Sequence, residues 1–189
     1  FRLDGDHPKG ASHHQKAVVV DDRVAFVGGI DLSRWRWDTD DHKPDDPRRI
    51  DPNGKPYPPF HDMMLLVEGE VAARLGDLAR ERWRRARGAK IPVPQAVEES
   101  PWPGSVVSDL GGLQVAIART EPSFRGREAV EEVKQLYVDA IAAAQRYIYI
   151  ENQYFTAHCL QEALVERLGQ TDGPEVVLVL PEKTGGWLE

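Results

Sequence analysis

The 189-residue chain carries 24 Lys and Arg against 31 Asp and Glu, and a formal charge of −7 argues against the broad cationic surface that sequence-independent nucleic-acid binding requires. Its 41% hydrophobic residues can bury an ordinary core, but no apolar run reaches bilayer length and Phe1-Arg2-Leu3-Asp4-Gly5 has no leader-like pattern, so a soluble chain with its compartment undetermined is expected. A single cysteine, Cys159, excludes an internal disulfide framework and any multi-cysteine zinc site, and a buried thiol is its default reading. Without an initiator Met, and stopping at Trp187-Leu188-Glu189 after an apparent strand, the chain reads as an interior piece of something longer.

In chain order, residues 14–20 and 24–27 are β-branched, apolar segments around Asp21-Asp22-Arg23 and predict a β-hairpin with a polar turn. Residues 38–59, rich in Asp, Pro, Lys and Gly, predict a long surface loop. Residues 63–67 predict a strand, and Val71, Leu75, Leu78, Ala79 and Trp83 recur at helical spacing up to Gly88. This helix is expected to pack on a sheet rather than on a membrane surface, with its basic stretch from Arg80 to Arg87 a solvated face.

Four prolines and Gly111-Gly112 within residues 89–112 mark a linker between residues 1–88 and 113–189. Beyond it, residues 113–118 predict a strand, and Val130, Val133, Leu136, Tyr137, Ile141 and Ala144 one helical face with a core stripe around Tyr137 and 140–144. Residues 147–150, 160–168 and 176–180 then predict strand, helix and strand. Such alternation implies an α/β class with a largely parallel sheet, and no internal repeat is visible.

The chemistry concentrates in the first hairpin. Alternation along a strand puts His14 and Lys16 on one side and His13 on the other. The next strand ends at Val27-Gly28-Gly29-Ile30-Asp31, where paired glycines open the backbone to an anionic group. A nucleophilic imidazole, a persistent cation and an unobstructed strand end are what attack on a phosphodiester needs. The acidic loop holding Asp38, Asp40, Asp41, Asp45 and Asp46 lacks the regular ligand spacing of a calcium site, so no metal or other cofactor is expected, calcium being the ion to consider were one bound.

The run His14-x-Lys16-x4-Asp21-x6-Gly28-Gly29 resembles the signature of the phospholipase D superfamily. The resemblance continues through Gly28-Gly29-Ile30-Asp31-Leu32, Arg36-Trp37-Asp38, Phe60-His61-Asp62, Glu68-Gly69 and the block from Tyr149 to Phe155. It implies a two-lobed, α/β/α layered sandwich with a mixed sheet, present here as an incomplete fragment, and phospholipase D hydrolysis or transphosphatidylation of a glycerophospholipid. It further implies that His14 is the nucleophile or the leaving-group acid, that Lys16 holds a nonbridging phosphate oxygen, and that Asp62 accepts the second imidazole N–H. Asp31 and Gly29 would lie beside the phosphate, Glu151, Asn152 and Gln153 near the cleft from the second lobe, and Asp21 and Gly28 would be structural.

Such a site is built from two His-x-Lys motifs, and none of His7, His42, His61 or His158 has a Lys two positions later. The chain is therefore expected to be inactive unless joined by the rest of its parent or a second copy, with transient membrane contact and no nucleic-acid partner. The rivals are a cardiolipin synthase or nuclease of the same superfamily, and a non-catalytic scaffold that keeps the fold.

Overall fold

The computed structural model describes residues 1–182, which fall into two compact units, Phe1–Ile117 and a second from Ala118 onward. In the first unit, strands β1 (Lys16–Val20), β2 (Val24–Gly28) and β3 (Met64–Glu68) form an antiparallel sheet in sequence order, followed by helix α1 (Glu70–Arg85). The pairing aligns Val19 with Ala25 and Ala25 with Val67, so these three share one face of the sheet. That row meets α1. Ala25, Ala72 and Leu75 form the buried centre, with Val19, Val27, Val67, Val71, Leu78 and Ile117 packed around it.

Two alanines at the centre let helix and sheet approach closely. Burial of a side chain such as Leu75 then contributes about 1.5–3 kcal/mol. Lys16 is an odd number of residues from Val19, so it belongs to the face opposite α1, in register with Gly28 and through it with Met64. The hairpin turn has Asp21 and Asp22 at φ 52° and 54°, with the Arg23 N–H bonded to the Val20 carbonyl at 3.0 Å. Positive φ at both central positions is what a type I′ turn demands, and Asp adopts it more readily than most residues.

The structure adds to three of these expectations. The side chain of Asp21 is exposed and accepts no hydrogen bond among the described residues; its contribution is its backbone conformation. The basic stretch of α1 is not simply solvated. Arg80 bonds Asp22 at 2.8 Å and Asp77 at 2.8 Å, tying the hairpin turn to the helix, and Arg82 reaches Gln15. The residue 38–59 segment has a charged interior, because Arg49 is 1% exposed and bonds Asp38 at 2.8 Å and the carbonyls of Lys43, Pro44 and Tyr57. It has almost no apolar residues to collapse on, and buried ionic hydrogen bonds order it instead.

The second unit opens with a two-residue antiparallel pair, β4 (Thr120–Glu121) with β5 (Val130–Glu131), then α2 (Glu132–Ala143). Strand β6 (Tyr147–Glu151), helix α3 (His158–Leu168) and strand β7 (Glu175–Val179) form a βαβ unit whose strands pair in parallel. Helices α2 and α3 pack together, with Ile141 and Leu164 buried. Cys159 is half-buried on α3.

The architecture is mixed α/β, with three helices and three sheets among the described residues, of which only β6 with β7 is parallel. The expected strand at 113–118 is absent: Leu113 and Val115 are exposed, no neighbouring strand bonds them, and Ile117 serves as a single anchor in the first unit's core. The stripe expected on α2 narrows to Ile141, since Leu136 and Tyr137 are exposed. Residues 183–189, including the end of the expected second lobe, lie outside the described residues.

Candidate active site

Strand β1 begins at Lys16, so His14 lies just before it, exposed, and strand alternation does not set their relation. Lys16 itself sets it. Its ammonium donates to the His14 carbonyl at 2.9 Å and pairs with Asp31 at 3.1 Å, while its side chain stays only 11% exposed. The second Asp31 oxygen accepts from Arg36 at 3.0 Å. Lys16 lowers the Asp31 carboxyl below its ordinary value; partial burial opposes this, and Arg36 adds to the lowering. His13, on the neighbouring position, pairs with Asp4 at 3.0 Å.

The glycine pair has a role other than the one expected. A side chain on Gly28 would strike the Met63 carbonyl and the Met64 Cα, and one on Gly29 would strike the Asp62 carboxylate. The space they leave is therefore filled by the incoming β3 segment rather than left open to a ligand. The Gly29 N–H donates to the Met63 carbonyl at 2.9 Å and the Met63 N–H to Asp62 at 2.7 Å, which sets Asp62 beside the end of β2. Asp62 is exposed, and no hydrogen bond joins it to His14 among the described residues.

Thus the end of β2 and the start of β1 gather His14, Lys16, Gly28, Gly29, Asp31 and Asp62, whereas Asp21 sits at the far end of the hairpin. Glu151, Asn152 and Gln153 belong to the second unit and are exposed at the C-terminal end of β6. There Glu151 accepts the Tyr149 hydroxyl at 3.3 Å, and the Asn152 N–H extends the parallel pairing to Val179 at 3.2 Å. Burial first, and then the Glu151 charge, push the Tyr149 hydroxyl up.

Sequence reasoning named Asp38 and Phe60 only within longer blocks and gave neither a role in bracing this site. Asp38 takes the amides of Thr39 at 2.8 Å and Phe60 at 2.9 Å, His42 at 3.0 Å and Arg49 at 2.8 Å. Phe60 in turn lies under the Arg36 guanidinium, 4.8 Å from the ring centre. The legible signal was the pair Arg48-Arg49 amid six aspartates in a segment poor in apolar residues. No group of three or more His, Cys, Asp or Glu side chains among the described residues is arranged to hold a metal, and Asp38, Asp46 and Asp51 are engaged with arginines, His42, Trp35 and backbone amides.

These carboxylates make an acid test. Burial works against the charged form of Asp38, yet His42, the Phe60 amide and Arg49 hold its carboxyl far below the usual range; Arg48 holds Asp46 at about 2. Both titrate lower folded than unfolded, so their stabilisation is complete above the ordinary value of 3.8 and is lost as pH falls through the folded values, about 2 for Asp46 and lower still for Asp38. Emission from Trp35 and Trp37, which lie in this segment, is expected to hold down to about pH 4 and to change below it. A transition finished by about pH 5 would contradict this assignment of partners.

A family model described as Phospholipase D matches residues 6–101, just over half the chain, a span that takes in the first-unit cluster from His14 to Asp62. The chain belongs to the phospholipase D family. Among curated relatives, Phospholipase D alpha 1 of Vigna unguiculata is 30% identical over 195 residues, covering 76% of this chain and 24% of that protein. Phospholipase D alpha 1 of Carica papaya is 29% identical over 194 residues with the same coverage. Phospholipase D A of Dictyostelium discoideum is 30% identical over 176 residues, 77% of this chain and 13% of that protein. This phospholipase D family chain spans about a quarter or less of the relatives it matches. No helix among its described residues is long and apolar enough to cross a membrane.

Proposed function

We propose that this chain supplies one of the two His-x-Lys half-sites of an enzyme that cleaves glycerophospholipids, by hydrolysis or by transphosphatidylation. The observation that carries the reading is Lys16, a nearly buried cation held against Asp31 and bonded to the His14 backbone, in a chain of the phospholipase D family. In this reading an imidazole nitrogen of His14 bonds to phosphorus as the P–O bond to the headgroup breaks. The departing alcohol takes its proton from the partner histidine, which then draws a proton from water or a second alcohol as that oxygen displaces His14. The roles of His14 and its partner can be exchanged without altering the balance. Lys16 offsets the charge on a nonbridging oxygen, and Asp62 orients the imidazole.

Residues 1–88 belong on this reading to a first lobe, 89–112 to a linker and the remainder to a second lobe, each lobe part of an α/β/α layered sandwich. Supporting it, parallel strand pairs occur almost only with both faces covered, while Val177, Leu178 and Val179 of β7 are exposed. Glu151, Asn152 and Gln153 then serve the substrate from the second lobe, the rest of the parent or a second copy completes the site, and the contact with the membrane surface is transient.

Choline release from phosphatidylcholine vesicles tests the proposal in the longer protein, in its His14→Ala variant and in the 189-residue chain alone. Loss of at least about a thousandfold is expected on removing His14, the scale seen when a nucleophile or its base is deleted. Undiminished release by the variant would overturn the site. Release by the isolated chain would show that a second copy, sharing its own His14, completes the site instead of the rest of the parent.

A further inference from the structure

We infer that Lys16 and Arg36 together form the cradle for one phosphate group, with Asp31 as a removable internal counter-ion. The inference rests on the phosphodiester reading above and adds to it a binding residue, Arg36, and a role for Asp31 opposite to that of a direct ligand. One Asp31 oxygen takes Lys16 at 3.1 Å and the other takes Arg36 at 3.0 Å, so two cations are aimed at the two oxygens of a single anion. A phosphodiester presents the same pattern, one negative charge over two nonbridging oxygens, and a guanidinium suits such planar, two-point recognition.

Three further observations favour exchange. Lys16 is 11% exposed whereas Asp31 is 40% exposed, so the cation is fixed and the carboxylate has solvent to swing into. Arg36 is held by its stacking on Phe60 at 4.8 Å, which keeps its position when Asp31 leaves. Its Nε–H is buried and has no hydrogen-bond partner among the described residues, a donor with capacity to spare. Two cations facing one carboxylate leave a surplus positive charge, which an incoming phosphate neutralises only if Asp31 does not stand beside it.

Titration of the 189-residue chain with inorganic phosphate at neutral pH and low salt, followed by calorimetry or backbone NMR, separates this from a structural role. Asp31→Asn is expected to bind phosphate about tenfold more tightly than the parent, and Arg36→Gln about tenfold more weakly, the scale of one charge-assisted hydrogen bond, with Arg36→Lys between. Raising salt should weaken all of them. Were Asp31 a structural tie for Lys16 and Arg36, Asp31→Asn would bind phosphate equally or less well, and that outcome overturns the inference. Parent-like phosphate binding by Arg36→Gln overturns it too. Misfolding of Arg36→Gln, read from its melting curve, leaves the decision with Asp31→Asn, whose expected tightening cannot come from lost structure. The catalytic reading stands or falls separately, on choline release by the His14→Ala variant.

Discussion

Replacing Arg49 by alanine is expected to lower the melting midpoint by on the order of 10 °C, although the residue lies in a segment without helix or strand. Its side chain is 1% exposed and serves Asp38 at 2.8 Å, the Pro44 carbonyl at 2.7 Å, the Tyr57 carbonyl at 3.2 Å and the Lys43 carbonyl. Alanine strands a buried carboxylate and three carbonyls together, and an abandoned partner costs far more than the intact pair contributes. Lysine should not rescue the variant, because one ammonium cannot reach four acceptors spread around a planar fork. Damage should also spread toward the site through Asp38, which holds the Phe60 amide at 2.9 Å, and Phe60, which supports Arg36. Thermal melting followed by circular dichroism, with protease mapping of residues 39–59, provides the check. A variant that melts with the parent and resists cleavage would show that the segment is ordered by its backbone alone.

The hairpin, the strand from Met64, the long helix after Gly69 and the β6–α3–β7 unit were legible because each has a clean period and a turn signal at its ends. Residues 113–118 misled for a physical reason: alternation measures what a strand could bury, but a strand exists only where a neighbour bonds it, and Leu113 and Val115 face solvent. The interior of the 38–59 segment was invisible because hydrophobic patterning registers only apolar burial, and this interior is an arginine wrapped in carbonyls and carboxylates. At the site, His14, Lys16, Asp31 and the glycines could be read as a group from spacing and resemblance, yet the reason for the glycines could not. That required knowing that the β3 segment, thirty-odd residues away, arrives against them. Arg36 was seen only as part of a recurring block, since nothing in its neighbours' identities marks it as the second cation on Asp31.

Alanine at Gly28 and alanine at Gly29 should therefore behave differently, though the residues are adjacent and each is one methyl short. Gly28 pairs with Met64, and its new Cβ would meet the Met63 carbonyl and the Met64 Cα, both backbone, so β2 and β3 must separate. Overpacking of that kind costs about 1–3 kcal/mol. At Gly29 the new Cβ meets the carboxylate of Asp62, an exposed side chain that can rotate away, and stability should change by less than about 1 kcal/mol. Neither glycine has a positive φ, so the difference is one of space and not of backbone conformation. Urea unfolding of the chain should rank Gly28→Ala well below Gly29→Ala, with the latter near the parent. In the longer protein the order should reverse for the Asp62-dependent property: under the proposed role of Asp62, Gly29→Ala lowers the rate of choline release at saturating lipid while leaving the fold intact. If Gly29→Ala proves the less stable of the two, the β3 segment rather than the Asp62 side chain has yielded, and the carboxylate is held by the fold more firmly than its exposure implies.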